Sequence, residues 1–259
     1  MKIQELFCLK ERVAIVTGGG RGIGKYIATG LAEAGANVVL ASRKIGNCIT
    51  AAKEIEPLGV KTLSVQCDLQ SVDDIDNLVR KTIECFGRVD ILVNNAGQTW
   101  GAPTLEYPLD KWEEVINVNL RGPFLLSQSV AKIMAKQNKG KIINIASILS
   151  FRGASEEMNA AVAYNASKGG IYALTLDLAV KLAKYKINVN GIAPGYFDTD
   201  LIAYARQDNE FFKKFINKIP MARLGQEDDI KGAAVLLASD ASDYLTGHIL
   251  CVDGGYLAW

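Results

Sequence analysis

Tyr164 and Lys168 stand four residues apart in a stretch, 164–185, whose apolar spacing predicts a long helix, so the two side chains share one face of it. Free tyrosine ionises near pH 10. An ammonium at about 4 Å, in a medium of effective dielectric about 20, favours tyrosinate by roughly 4 kcal/mol. That is enough to bring the phenol toward about 7, where a proton-exchanging group works best. Ser147 follows a predicted strand, 141–145, and its hydroxyl could hydrogen-bond the oxygen that such a phenol protonates. The chemistry implied is general acid–base work at a carbonyl or carbinol oxygen. A Tyr and a Lys four apart are also ordinary helix polarity, so the elements around them decide.

The first of those elements is a glycine turn, Thr17-Gly18-Gly19-Gly20-Arg21-Gly22-Ile23-Gly24, between an apolar strand, Val13–Val16, and a helix from about Lys25 to Ala34. Without Cβ atoms the backbone can approach a pyrophosphate, and the free N–H groups of the helix start point at it. The spacing, G-x-x-x-G-x-G over Gly18, Gly22 and Gly24, is not the strict dinucleotide fingerprint. Gly19, Gly24 and Lys25 nearly match a P-loop, which then needs Ser or Thr for Mg²⁺; this chain has Tyr26.

The second predicted strand, Asn37–Ala41, ends in Ser42-Arg43-Lys44, and no acid lies between Ala36 and Lys53. A carboxylate there would take the ribose hydroxyls of NAD; Arg43 with Arg21 suits a 2′-phosphate, which favours NADP(H) over NAD(H).

Composition narrows the rest. The chain has 259 residues and a net charge of +1, which suits one large α/β domain and suggests no nucleic-acid partner. Five scattered cysteines with no C-x-x-C pair suggest neither a disulfide framework nor a zinc site, and fit a cytoplasmic protein. His248 is the single histidine, so a Ser-His-Asp hydrolase and a His-rich metal centre are not expected. No long apolar run suggests a signal peptide or a membrane span.

Further predicted strands fall at 62–66, 89–93, 141–145, 187–192 and 248–252, alternating with helices near 47–58, 71–86, 112–134, 164–185 and 228–239. The helix over 112–134 is expected to be interrupted near Gly122-Pro123, and Ser71 with Asp74 reads as an N-cap with a short capping box. This alternation predicts a single-domain, doubly wound, Rossmann-type parallel sheet of about seven strands over residues 1–259. The polar, aromatic-bearing stretch 197–218 reads as a substrate lid.

Thr17–Gly24, Asn94-Asn95-Ala96-Gly97, Asn119, Ser147, Tyr164-Asn165-Ala166-Ser167-Lys168 and Pro194-Gly195 together resemble the short-chain dehydrogenase/reductase family, over essentially the whole chain. The resemblance implies hydride transfer between a nicotinamide cofactor and a ketone or secondary alcohol. It implies that Asn119 holds a water in a proton relay, Ser147 orients the carbonyl, Tyr164 exchanges the proton and Lys168 binds the nicotinamide ribose. Asp68 and Leu69 would border the adenine. Gly18, Arg21, Gly22, Ile23, Gly24, Ser42, Arg43, Asn95, Ala96, Gly97, Pro194 and Gly195 would complete the cofactor site. Members of the family are tetramers, and the helices 112–134 and 164–185 are apolar beyond one stripe, as a homotetramer requires.

Gln98–Pro103 resembles the branch holding β-ketoacyl reductases and gluconate 5-dehydrogenase-like enzymes. With NADP implied, reduction of a β-ketoacyl or similar carbonyl is the first expectation, and a sugar or polyol dehydrogenase the alternative. A non-catalytic NADP sensor and an NTPase complete the field. Trp100, Leu149, Arg152, Tyr196 and Phe197 are the expected substrate-pocket residues, with Arg152 able to hold a carboxylate or phosphate. The connection from Ser147 to Tyr164 is longer than the family pattern and carries Phe151, Arg152 and Met158.

Overall fold

A computed structural model describes residues 1–199, 212–213 and 216–259. Most of the expected lid therefore lies outside the described residues. Seven strands form one parallel sheet: β1 (Val13–Thr17), β2 (Asn37–Ser42), β3 (Thr62–Gln66), β4 (Ile91–Asn94), β5 (Gly140–Ile145), β6 (Ile187–Pro194) and β7 (Ile249–Val252), in the order β3-β2-β1-β4-β5-β6-β7.

Both faces are covered, which explains why the strands read as unbroken apolar runs. In β1, Ala14 and Val16 enter one core, together with Leu31, Leu40 and Ile230. Val13 and Ile15 enter the other, with Leu78, Leu92, Leu126 and Val189. After a short α1 (Ile3–Leu6), the helices of the first face are α2 (Gly22–Glu33), α3 (Ile45–Ile55) and α8 (Glu227–Ala238). Those of the second are α4 (Val72–Phe86), α6 (Gly122–Gln137) and α7 (Val162–Leu182). No helix among the described residues is long and apolar enough to cross a membrane.

Two local expectations are modified. Ser71 caps α4, accepting the Asp74 N–H at 3.1 Å. The Asp74 carboxylate does not reach back to the cap; it accepts the Asp68 N–H at 2.8 Å and so fixes the loop after β3. The irregularity in the long helix falls before Gly122-Pro123, not at it. Between α5 (Leu109–Ile116) and α6, residues Asn117–Arg121 form a π-helical turn. Pro123 has no N–H to offer the carbonyl of Asn119, four residues earlier, so the regular α ladder cannot pass through this point.

Candidate active site

The strand order reverses between β1 and β4, and in open parallel sheets ligands sit beyond the carboxyl ends of the strands at such a point. Thr17 closes β1 there. Its buried hydroxyl accepts the N–H groups of Asn95 and Ala96, each at 3.0 Å, and donates to Val93 O. Asn95 Nδ2 donates to Thr17 O at 2.9 Å. The Asn95-Ala96-Gly97 loop is thus bolted to the glycine turn. A Cβ on Gly18, whose φ is +66°, would stand 2.8 Å from Asn95 Nδ2, and one on Gly24 would collide with Asn95 and with Gly18 O.

Gly22 differs. Its φ is +51°, and a Cβ there would meet, among the described residues, Thr199 alone at 3.4 Å. Arg21, at the N-cap of α2, places no side-chain cap on the helix, and its first turn carries no acid. The N–H groups of Gly22, Ile23 and Gly24 precede the Lys25 N–H, which bonds Arg21 O. Bare backbone, uncapped donors and the positive helix end fit a pyrophosphate.

Ser42 and Arg43 follow at the end of β2. The Ser42 hydroxyl donates to Lys44 O at 2.9 Å, and Arg43 reaches Gln98 Oε1 at 3.3 Å from an exposed position. Asp68 and Leu69 follow β3, with Leu69 buried beneath Gly122. Pro194 ends β6, and Gly195 crosses so close to Asp253 that a Cβ would lie 2.7 Å from its Cα. All the expected cofactor residues therefore border one edge of the sheet.

Tyr164 and Lys168 sit in the first two turns of α7, and Ser147 lies just beyond β5. Ser147 hydrogen-bonds the Tyr164 hydroxyl. Lys168 is buried, donates from Nζ to Ile145 O at 2.6 Å and stands 5.6 Å from the centre of the Tyr164 ring. Burial pulls Lys168 down to about 8. Burial likewise pushes the Tyr164 phenol up, with the Ser147 hydrogen bond acting against it. The phenol is therefore not brought toward 7 by its neighbour, as the spacing suggested. Desolvation is the larger cause at the phenol, the Lys168 ammonium is turned toward a strand carbonyl, and Tyr164 holds its proton at neutral pH.

The Asn119 side chain is a clamp. Oδ1 accepts the Gln98 N–H at 2.9 Å, while Nδ2 donates to Gln98 O at 2.9 Å and to Ser167 Oγ at 3.0 Å. Ser167 in turn donates to Tyr164 O at 2.7 Å. Asn119 itself lies in the π-helical turn Asn117–Arg121, just before Gly122-Pro123. Sequence reasoning missed Ser150, whose hydroxyl accepts the Ser147 N–H and donates to Lys168 O, and also Thr17.

The substrate-side residues divide. Leu149 and Tyr196 pack into one cluster with Ile148 and Tyr256. Tyr196 meets Tyr256 edge-on at 5.2 Å, and the Arg152 guanidinium lies 5.2 Å from the centre of the Tyr256 ring. Trp100 is exposed beneath Lys111 Nζ, 4.9 Å from its ring centre, in the loop after Gly97. The longer connection docks on that loop: Ala102 N–H donates to Ala160 O at 3.0 Å, and Thr104 bonds Glu156 through both N–H and hydroxyl. Phe197, expected in the pocket wall, lines a cavity with Tyr196 and Met221 while being only 4 % exposed, with its ring against Gly225. It pairs with that residue as an isolated bridge, which turns the ring inward.

Comparison with known proteins agrees with this geometry. Residues 18–257 match the family described as "Enoyl-(Acyl carrier protein) reductase". The chain is 43% identical over 254 residues to a 2-dehydro-3-deoxy-D-gluconate 5-dehydrogenase of Pseudoalteromonas atlantica, covering 98% of each chain. It is 40% identical over 257 residues to the Escherichia coli enzyme of the same name, covering 99% of each. The crystal structure of a gluconate 5-dehydrogenase from Burkholderia cenocepacia, in complex with NADP and tartrate, superposes with a TM-score of 0.93 at 37% identity, covering 100% of both chains. The chain belongs to the short-chain dehydrogenase/reductase family and is an oxidoreductase acting on CH–OH groups.

Proposed function

We propose that the protein interconverts a ketone and a secondary alcohol on a sugar acid of the gluconate type, using NADP(H). The observation that carries this reading is the Ser147–Tyr164–Lys168 constellation in a chain that aligns end to end with 2-dehydro-3-deoxy-D-gluconate 5-dehydrogenases. The sequence alone ranked a β-ketoacyl carbonyl first; the relatives reverse that order.

NADPH, when bound, supplies the hydride. The chain's own residues do the rest. Tyr164, protonated at neutral pH, delivers its proton to the substrate oxygen as the carbonyl is reduced, and takes one back in the oxidative direction. Ser147 hydrogen-bonds that oxygen and the Tyr164 hydroxyl together. Lys168 faces the cofactor ribose, and Asn119 locks the loop at Gln98 to α7. Gly18, Gly22, Ile23 and Gly24 cradle the pyrophosphate, with Asn95, Ala96, Gly97, Pro194 and Gly195 around the nicotinamide half. Asp68 and Leu69 border the adenine, and Arg21, Ser42 and Arg43 take the 2′-phosphate.

The protein acts as a homotetramer in the cytoplasm. Exposed Phe124 on α6 and Leu176 and Val180 on α7 are the apolar surface such an assembly covers, and the five cysteines are free. The test is a substrate and cofactor panel: 5-keto-D-gluconate, a β-ketoacyl thioester and ATP, with NADPH or NADH. The expected result is oxidation of NADPH in preference to NADH, with the keto acid favoured. Turnover confined to the thioester or to ATP would overturn the reading.

A further inference from the structure

The Arg152 guanidinium rests on the Tyr256 ring at 5.2 Å from its centre. Among the described residues its one hydrogen bond runs from Nε to Gly153 O at 3.4 Å, and it has no carboxylate partner. Glu156 and Asp253, acids of the segments that carry Arg152 and Tyr256, are engaged elsewhere, and Glu157 makes no ion pair with it among the described residues. Glu156 holds Thr104. Asp253 accepts the N–H groups of Gly255 and Leu257 at 3.0 and 2.9 Å, which fixes the turn that presents Tyr256. Arg223, by contrast, is neutralised by a two-point pair with Asp229.

Arg152 also lines an open cavity of about 660 Å³ with Phe151, Gly153, Leu257 and Trp259. Its walls are braced: Phe151 packs edge-on against Tyr172 at 5.2 Å, and Trp259 Nε1 donates to Lys218 O at 3.1 Å. Behind the cation, Tyr256 meets Tyr196, the residue after Gly195, and both share a cluster with Ile148 and Leu149, the residues after Ser147. The cation is therefore carried by the segment that leads away from the catalytic serine, and the C-terminal ring it rests on packs against the residue that follows the Pro194-Gly195 turn. A stacked guanidinium with free donors is oriented for a planar, bidentate anion.

We propose that Arg152 is the specificity-determining residue that takes the substrate carboxylate, so that the site selects sugar acids over neutral ketoses. This rests on the sugar-acid reading above. The test compares kcat/KM for 5-keto-D-gluconate with that for L-sorbose, its neutral counterpart, in the wild-type enzyme and in Arg152→Gln and Arg152→Lys. The acid-over-neutral ratio is expected to fall about 10- to 100-fold in Arg152→Gln, through KM for the acid, and less in Arg152→Lys, which keeps the charge and loses the fork. NADPH binding followed by fluorescence checks that the variants are folded. Lys81→Gln, on the far helix α4, removes one positive charge elsewhere and is expected to leave the ratio unchanged. An Arg152→Gln enzyme that binds NADPH and keeps the wild-type ratio would overturn the proposal, as would an equal fall in Lys81→Gln. Wild-type enzyme that reduces L-sorbose and no keto acid would instead overturn the sugar-acid reading itself, and this proposal with it.

Discussion

The Ser150 hydroxyl donates to the Lys168 carbonyl at 2.8 Å while its oxygen accepts the Ser147 N–H at 3.3 Å. One small side chain thus ties the backbone of the serine loop to the turn of α7 that bears the lysine. Ser147 and Lys168 come from different elements, and their separation is set by this bridge.

Removing the bridge in Ser150→Ala is expected to cost about 1 kcal/mol of stability and to lower kcat about tenfold, because the serine loop loses its register against α7. NADPH affinity should change little, and Ser150→Thr should restore most of the turnover. Steady-state kinetics on the three proteins checks this; a fall in NADPH binding with kcat preserved would contradict it.

Lys168 predicts a pH dependence of stability. Its ammonium falls from 10.5 in the unfolded chain to about 8 in the folded one, by burial. Between those values the unfolded chain binds more protons, so stability rises with pH across the window, by up to about 3 kcal/mol. Below about 8 the burial cost is present in full. Urea denaturation from pH 7 to 10 should show this rise in the wild-type protein and not in Lys168→Met. Parallel curves for the two proteins would contradict it.

Thr17→Val keeps the shape of the side chain but strips the acceptor from the Asn95 and Ala96 N–H groups. The Ala96 N–H then loses its partner while the Asn95 N–H keeps Val93 O at 3.1 Å, so the change is expected to cost about 1–3 kcal/mol and to loosen the loop beside the glycine turn, weakening NADPH binding. Thermal unfolding and a cofactor titration measure both effects. Thr17→Ser should stay near wild type.

The sheet was legible because each strand is a continuous apolar run between turn residues, and all seven strands were expected where they occur. Boundaries moved by at most two residues; β6 runs on to Pro194, since that position needs no N–H of its own at the end of a ladder. The π turn was not legible as such. Pro123 signalled an interruption, but the lost hydrogen bond falls on Asn119, four residues upstream. Asn119, Ser147, Tyr164 and Lys168 could be named because their residue types and spacing carry chemistry. Ser150 and Thr17 could not: a single hydroxyl bonding backbone leaves no pattern along a chain. The depth of Phe197 was not legible either: an aromatic residue after a strand end looks the same in sequence whether it is exposed or, as here, nearly buried against Gly225 at a cavity wall.

The account stands on Tyr164 as the proton donor. The direct measurement is kcat for NADPH-dependent reduction of 5-keto-D-gluconate by Tyr164→Phe, alongside its NADPH dissociation constant. The phenylalanine ring keeps the packing and removes only the hydroxyl that bonds Ser147. The expected result is a loss of kcat of about a hundred- to ten-thousand-fold with cofactor binding retained. Turnover within a few-fold of wild type would contradict it.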